Sequence, residues 1–166
     1  MLRIKHIIEE GEELNIIRDL FREYEKELNE NICFQSFEEE LKNPLKKYGP
    51  PSGDLILAYW DDEVAGCIAL MKMKESGACE MKRLYVKPSF RKNKIGRLLI
   101  EDLLNSAKER DYKIMRLDTF LKLQAAMHLY QQFGFKNISP YYNNPLPNVV
   151  YMEKSFDHCF ITGNSM

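Results

Sequence analysis

The sequence predicts an α/β (α+β) chain: a mixed sheet of about seven strands with about four helices around it. Three observations predict this. Strand-like and helix-like periodicities follow one another along the 166 residues in the order β-α-α-β-β-β-α-β-α-β-β. One strand–helix–strand unit, at the centre of that order, has a connection long enough for a right-handed crossover, so its strands are parallel neighbours. The other strands are joined by short turns and read as antiparallel hairpins.

The elements follow in chain order. Residues 2–8 alternate enough for a first strand. "EELNIIRDLFREYEKEL" places Leu14, Ile17, Leu20, Phe21 and Tyr24 at helical spacing, an amphipathic helix. "SFEEELKNPLKKY" reads as a second, shorter helix, opened by Ser36 with Glu39 three residues on, a capping-box pattern. "YGPPSG" is a loop by its Pro and Gly content. "DLILAYW" and "AGCIALMKM" form a hairpin across "DDEV", with "ACEMKRLYV" as a third strand beside it. "KIGRLLIEDLLNSAKERD" is a helix, apolar at Ile95, Leu98, Leu99, Leu103 and Leu104. "KIMRLDTF" is a strand, and "LQAAMHLYQQF" a helix that Gly134 ends. "GFKNISPYY" and "NVVYMEKSF" close the sheet around "NNPLP", and "DHCFITGNSM" carries no pattern.

Composition narrows the function. With 45% hydrophobic residues and one domain's length, the chain can bury a sizeable core. A net charge of −1 points to neither nucleic acid nor an anionic membrane as partner. The acidic N-terminal stretch lacks the apolar run of a signal peptide, and no segment approaches 18 apolar residues, so a cytoplasmic location is expected. Cys33, Cys67, Cys79 and Cys159 show no metal-ligand spacing and read as reduced thiols, with no metal site. His6 and His158 carry no partner pattern, and His128 reads as packing or solvent-facing.

The informative stretch is "RLYVKPSFRKNKIGRLLIEDLL", residues 83–104. A strand there gives way to a helix within ten residues, and Arg91, Lys92, Lys94 and Arg97 crowd the join around Gly96. The first turn of a helix has N–H groups without partners and a partial positive charge, so it attracts anions. A strand feeding such a turn, with glycine for close approach, is a recurrent phosphate cradle. The same residues also read as a solvated loop. A P-loop's G-x-x-x-x-G-K-[ST] is absent, and one glycine in one β-α-β unit does not make a dinucleotide fold.

"LYVKPSFRKNKIGRLLIEDLL" resembles the coenzyme A signature of the GNAT N-acetyltransferase superfamily, where a strand ending in valine leads to R/Q-x-x-G-x-G/A at a helix start. Arg91 matches the first position and Gly96 the last, and Lys94 stands where the family usually has its first glycine. "AAMHLYQQFGF" is similar to the later A-x-x-L-Y-x-x-x-G-F pattern, with Ala126, Leu129, Tyr130, Gly134 and Phe135 in register. "YGPPSGDLILA" and "PYYNNPLPNVVYME" resemble small bacterial-type members, so the likeness covers roughly residues 2–156.

The resemblance implies one acetyltransferase domain at residues 1–156, with 157–166 as a C-terminal tail, and a sheet that splays open between its central parallel strands. It implies acetyl transfer from acetyl-coenzyme A to a small-molecule amine or amino acid derivative, with a homodimer permitted. A coenzyme-sensing module without turnover is the alternative. Coenzyme A would lie along Leu84, Tyr85, Val86, Arg91, Lys92, Asn93, Lys94, Ile95, Gly96 and Arg97. Tyr130 matches the family's proton donor, although a tyrosine in an apolar helix stripe is also plain core. Glu80 is the candidate base. Alternation puts it on one face with Lys82, Leu84 and Val86, and it reads equally as a strand carboxylate paired with Lys82 or Arg83. Asp118 and Thr119 end the second parallel strand and would contact substrate or cap a helix. Tyr48 and the loop 141–144, with Tyr142 and Asn143, would line the acceptor pocket, or serve only as surface loops. The acidic "SFEEEL" near the expected mouth hints at a cationic amine.

Overall fold

The structure is a computed structural model that describes residues 1–32 and 36–156. Cys33, Cys159, His158 and the tail at 157–166 lie outside the described residues. The chain runs β1 (Leu2–His6), α1 (Glu12–Leu28), α2 (Phe37–Lys42), α3 (Pro44–Tyr48), β2 (Asp54–Trp60), β3 (Glu63–Lys72) and β4 (Ala78–Val86). A 3-10 turn (Pro88–Asn93) follows, then α4 (Ile95–Glu109), β5 (Ile114–Phe120), α5 (Gln124–Gln132), β6 (Lys136–Ile138) and β7 (Val149–Ser155). The strands form one seven-stranded sheet in the order β1-β2-β3-β4-β5-β7-β6. β4 and β5 pair in parallel, and every other pair is antiparallel.

Both faces of the sheet are covered. On one, Ile95, Leu99, Ile100 and Leu103 of α4 pack on Ile56, Ile68 and Met115. On the other, Ile17, Leu20 and Phe21 of α1 pack on Leu55, Leu57 and Ala69. Each such fully buried side chain contributes about 1.5–3 kcal/mol. The hairpin between β2 and β3 turns at Asp61 and Asp62, both with positive φ (48° and 65°), the backbone that matches strand twist in a two-residue turn. Among the described residues no helix is long and apolar enough to cross a membrane.

Several boundaries differ from the sequence expectation, each for a local reason. The second helix is two, because Pro44 lacks an N–H and forces Asn43 out of helical geometry (φ −144°, ψ 77°). Ser36 takes a left-handed backbone (φ 60°) and caps nothing, so the capping box does not form. β6 stops at Ile138, just before Pro140, and the tyrosines expected in that strand leave the sheet.

Two irregularities shape the centre. β4 and β5 pair only from Ala78↔Ile114 to Glu80↔Arg116, then separate. On the other side of β4, Ala69 pairs with Lys82 and Cys67 with Tyr85, so Arg83 and Leu84 together oppose Ile68. This is a bulge, with Arg83 at φ 59°. It shifts the alternation: Leu84 and Val86 pack on the α4 face with Met81, while Glu80 and Lys82 stay on the α1–α3 face. Glu80 therefore does not share a face with Leu84 and Val86.

Candidate active site

The join between β4 and α4 is a groove wall. Lys94 occupies the position before the helix at φ 59°, and no side chain caps α4. This is the left-handed region that glycine enters freely, at a cost of roughly 1–2 kcal/mol for other residues. The N–H of Leu98 bonds the Lys94 carbonyl at 3.2 Å. The three amides before it, of Ile95, Gly96 and Arg97, are first-turn donors with no intrahelical acceptor. Beside them is a groove of about 510 Å³ lined by Tyr85, Val86, Arg91, Lys94, Gly96 and Arg97, with α5 and the end of α1 opposite. A Cβ added at Gly96 would meet Leu129 Cδ2 at 3.6 Å and Val86 Cγ2 at 3.9 Å, ordinary contacts. The protein's own packing does not require glycine there; what glycine leaves is space in the groove.

The cationic side chains are held at its rim. Arg91 Nε donates to the Val86 carbonyl (2.9 Å) and its guanidinium reaches Glu27 (2.5 Å). Arg97 donates to Gln132. Beside them, burial and then Glu23 push the Tyr85 hydroxyl up to about 12. Lys92, Asn93 and Ile95 do not line the groove, and the Ile95 side chain is fully buried in the core.

Where β4 and β5 part, a cavity of about 70 Å³ is lined by Tyr24, Lys82, Leu84, Asp118, Thr119 and Tyr130 among others. Tyr24 and Leu84 line the groove as well, so the two spaces adjoin. Tyr130 is buried, edge-on to Phe135 at 6.0 Å. Burial, with Tyr24 and Asp118 adding, pushes its hydroxyl well above the ordinary tyrosine value. A shift in that direction favours the phenol form, which keeps a proton to donate. Thr119 and Asp118 cap no helix: Leu123 precedes α5.

Beyond the cavity lies a wide pocket of about 930 Å³ on the α1–α3 face. Glu80 and Lys82, both under 10% exposed, line it from the sheet. Glu80 Oε2 accepts from the Tyr141 hydroxyl at 2.5 Å, and Lys82 Nζ stands 4.0 Å from Glu80 Oε1. Asp118 accepts from the Tyr142 hydroxyl and from Asn144 Nδ2 at 3.4 Å. Tyr141, Tyr142 and Tyr151 interlock, with ring centroids 5.2–5.6 Å apart, and fix the loop. Asn143 also lines the pocket. Lys82 belongs to both the cavity and the pocket.

A buried ion pair ties the pocket's flank to the bulge. Arg83 donates to Glu40 of α2 through Nε (2.8 Å) and Nη2 (2.9 Å), and Lys47 of α3 reaches the same carboxylate at 3.0 Å. Burial opposes the charged carboxylate, but Arg83 outweighs it and holds Glu40 below its ordinary value.

The structure thus brings most of the sequence candidates to three adjoining spaces and leaves out Lys92, Asn93, the Ile95 side chain and Tyr48. Tyr48 is fully buried, edge-on to Phe21 at 6.0 Å, and lines no acceptor pocket; α3 carries it inward. The acidic α2 does not line the pocket either, since Glu40 turns to Arg83. Tyr24 and Lys82 were missed as site residues: Tyr24 looks like one more apolar position on α1, and Lys82 like a partner for its neighbour.

The sequence pattern of the acetyltransferase (GNAT) family matches residues 14–135. An uncharacterized N-acetyltransferase of Schizosaccharomyces pombe is 43% identical over 142 residues, covering 85% of this chain and 87% of the relative. Among solved structures, an acetyltransferase from Streptococcus agalactiae superposes with a TM-score of 0.78 at 22% identity, covering 93% of this chain and 98% of that one. A Bacillus subtilis acetyltransferase in complex with CoA has a TM-score of 0.66 at 22% identity, covering 94% and 99%. The chain shares its fold with these solved structures. The chain belongs to the acetyltransferase (GNAT) family.

Proposed function

We propose that the protein is an acetyl-coenzyme A-dependent N-acetyltransferase acting on a small primary amine. The observation that carries this reading is the series of three spaces: the groove at the α4 start, the cavity in the splay and the wide pocket over Glu80. Family membership supports the donor, and so does the CoA complex of the Bacillus subtilis neighbour. The space left at Gly96 beside bare helix amides fits a diphosphate.

Acetyl-coenzyme A supplies an acyl thioester: the amine nitrogen bonds the acyl carbon, the C–S bond breaks, and the thiol leaves. In this reading the amides of Ile95, Gly96 and Arg97 hold the diphosphate, with Lys94 and Arg97 adding charge. Backbone N–H groups of the Leu84–Val86 stretch, unpaired on the β5 side, orient the carbonyl and stabilise charge on its oxygen. Tyr130 gives its proton to the leaving sulfur. Glu80 takes the proton of the attacking amine, which in free lysine-like amines titrates near ~10.4; the Tyr141 hydroxyl keeps the carboxylate oriented.

The test is release of free thiol from acetyl-coenzyme A across an amine panel, with Tyr130→Phe and Glu80→Gln beside the wild type. Losses of about 10²–10⁴-fold in kcat are expected for removal of an acid or base. Coenzyme A binding without thiol release for any amine would make the chain a sensing module instead. Full turnover in Tyr130→Phe or Glu80→Gln would remove that residue's role.

A further inference from the structure

Resting on that reading, we propose that Glu27 competes with the coenzyme A diphosphate for Arg91, so that the end of α1 is a strap that coenzyme A displaces as it binds. Glu27 and Arg91 line the groove from opposite sides, and Arg91 Nη2 donates to Glu27 Oε1 at 2.5 Å. The other edge of the guanidinium is anchored, because its Nε donates to the Val86 carbonyl at 2.9 Å. Arg91 is thus fixed at the wall beside the first-turn amides of α4, with its outer nitrogen aimed across the groove. A carboxylate of the chain itself stands where that nitrogen would meet an anion.

The pair is one of three. Glu23, Glu27 and Glu30 follow one another at four and three residues, the spacing of one helix face. Lys87 stands 3.5 Å from Glu23, and Lys122 donates to Glu30 at 2.7 Å and to the Leu28 carbonyl at 2.6 Å. Lys87 and Arg91 belong to the join after β4 and Lys122 to the turn before α5, so the end of α1 is tied to both other sides of the groove. Glu23 and Glu27 repel each other along the helix, and both oppose an anion in the groove. A diphosphate can engage the guanidinium through two oxygens, a stronger contact than one exposed carboxylate makes.

The strap also bears on the cavity in the splay. Tyr24, one turn before Leu28, lines both the groove and the cavity, and its ring meets Tyr85 edge-on at 6.4 Å. The cavity's volume of about 70 Å³ is less than half of the ~150 Å³ of a cavity that takes up benzene. An acetyl group, its sulfur and an amine nitrogen with one carbon have as many heavy atoms as benzene. Transfer there needs a wall to move, and the wall tied by ion pairs to the diphosphate site is α1. Displacing Glu27 from Arg91 releases that wall through Tyr24.

Calorimetric titration of coenzyme A into wild type, Glu27→Gln, Arg91→Gln and the double variant tests the competition, with circular dichroism confirming the fold of each. Glu27→Gln should bind coenzyme A about fivefold tighter than wild type, the upper range for one exposed ion pair. In the Arg91→Gln background the same substitution should gain less than about twofold, because the contested group is gone; plain charge repulsion would give equal gains in both backgrounds. Glu9→Gln, which removes the same charge outside the groove, should keep the wild-type affinity. In ¹⁵N-labelled wild type the amides of Leu28 and Asn29 should also move on binding, by less than those at the α4 start. Unchanged or weaker binding by Glu27→Gln, an equal gain with and without Arg91, or still Leu28 and Asn29 amides would each overturn the proposal and leave the donor reading standing. If neither wild type nor any variant binds coenzyme A, the donor reading fails and this inference falls with it.

Discussion

The groove at α4 and the pocket over Glu80 adjoin the same cavity, yet the chain builds them differently. One wall of the groove is a continuous run, from Leu84 through Arg91 and Lys94 to Arg97, faced by α5 and by the end of α1 at Tyr24, Glu27 and Leu28. The pocket collects side chains from α3, the end of β3, β4, β5, the loop after β6 and β7. The groove's basic wall is one strand–turn–helix, so a change within it is local. The pocket's geometry depends on long-range contacts: Arg83 with Glu40, Tyr141 with Glu80, Tyr142 with Asp118. Such a surface can change its acceptor without disturbing donor binding.

The largest expected effect that separates the two regions is at Gly96. Gly96→Leu keeps an ordinary Cβ contact but sends its outer carbons toward the groove. Coenzyme A affinity should fall about a hundredfold, close to 3 kcal/mol, with the thermal midpoint within a few degrees of wild type. A matching loss of stability would mean that glycine serves packing after all.

Arg83→Met acts on the other region. It leaves Glu40 buried beside Lys47, and removing one partner of a buried pair costs about 3–5 kcal/mol. The lower end is expected, because Lys47 remains at 3.0 Å. Urea unfolding measures it. The pH dependence has a fixed sign: Glu40 is held below its ordinary value of 4.5, so the pair's contribution is fully present above that pH. It declines as pH falls through the depressed folded-state value. The stability gap between wild type and Arg83→Met should therefore narrow in acid. A gap that widened there would refute the pairing.

Legibility follows the same division. The β4–α4 stretch could be read because its physics is local: strand alternation, a lone glycine and clustered cations at a helix start. Lys94 explains itself only in the structure, where its left-handed backbone occupies the place a glycine would take. Glu80 was readable as a carboxylate on β4 but not by its face, because the Arg83 bulge shifts the alternation and nothing in "EMKRLYV" marks it. Tyr48 misled because a tyrosine beside "GPPSG" looks like loop, while α3 turns it into the core. Tyr141 and Tyr142 were placed in the right neighbourhood, but their carboxylate partners are 61 and 24 residues away, beyond any sequence pattern.

The smallest predicted effect refines the pocket. Tyr142→Phe deletes the hydroxyl that Asp118 accepts from and that Asn144 Nδ2 donates to at 2.8 Å. A loss of about 1 kcal/mol in stability is expected, with a several-fold rise in acceptor KM. Thermal melts and steady-state kinetics on the one variant check both, and an unchanged KM would take Tyr142 out of acceptor binding.

The account rests on donor binding at the start of α4, and amide NMR reads that place directly. Titrating coenzyme A into ¹⁵N-labelled protein should shift the N–H resonances of Ile95, Gly96 and Arg97 most strongly, followed by those of Tyr85 and Val86, and should leave His6 and the β1 edge still. Shifts centred anywhere else, or none at saturating coenzyme A, would contradict it.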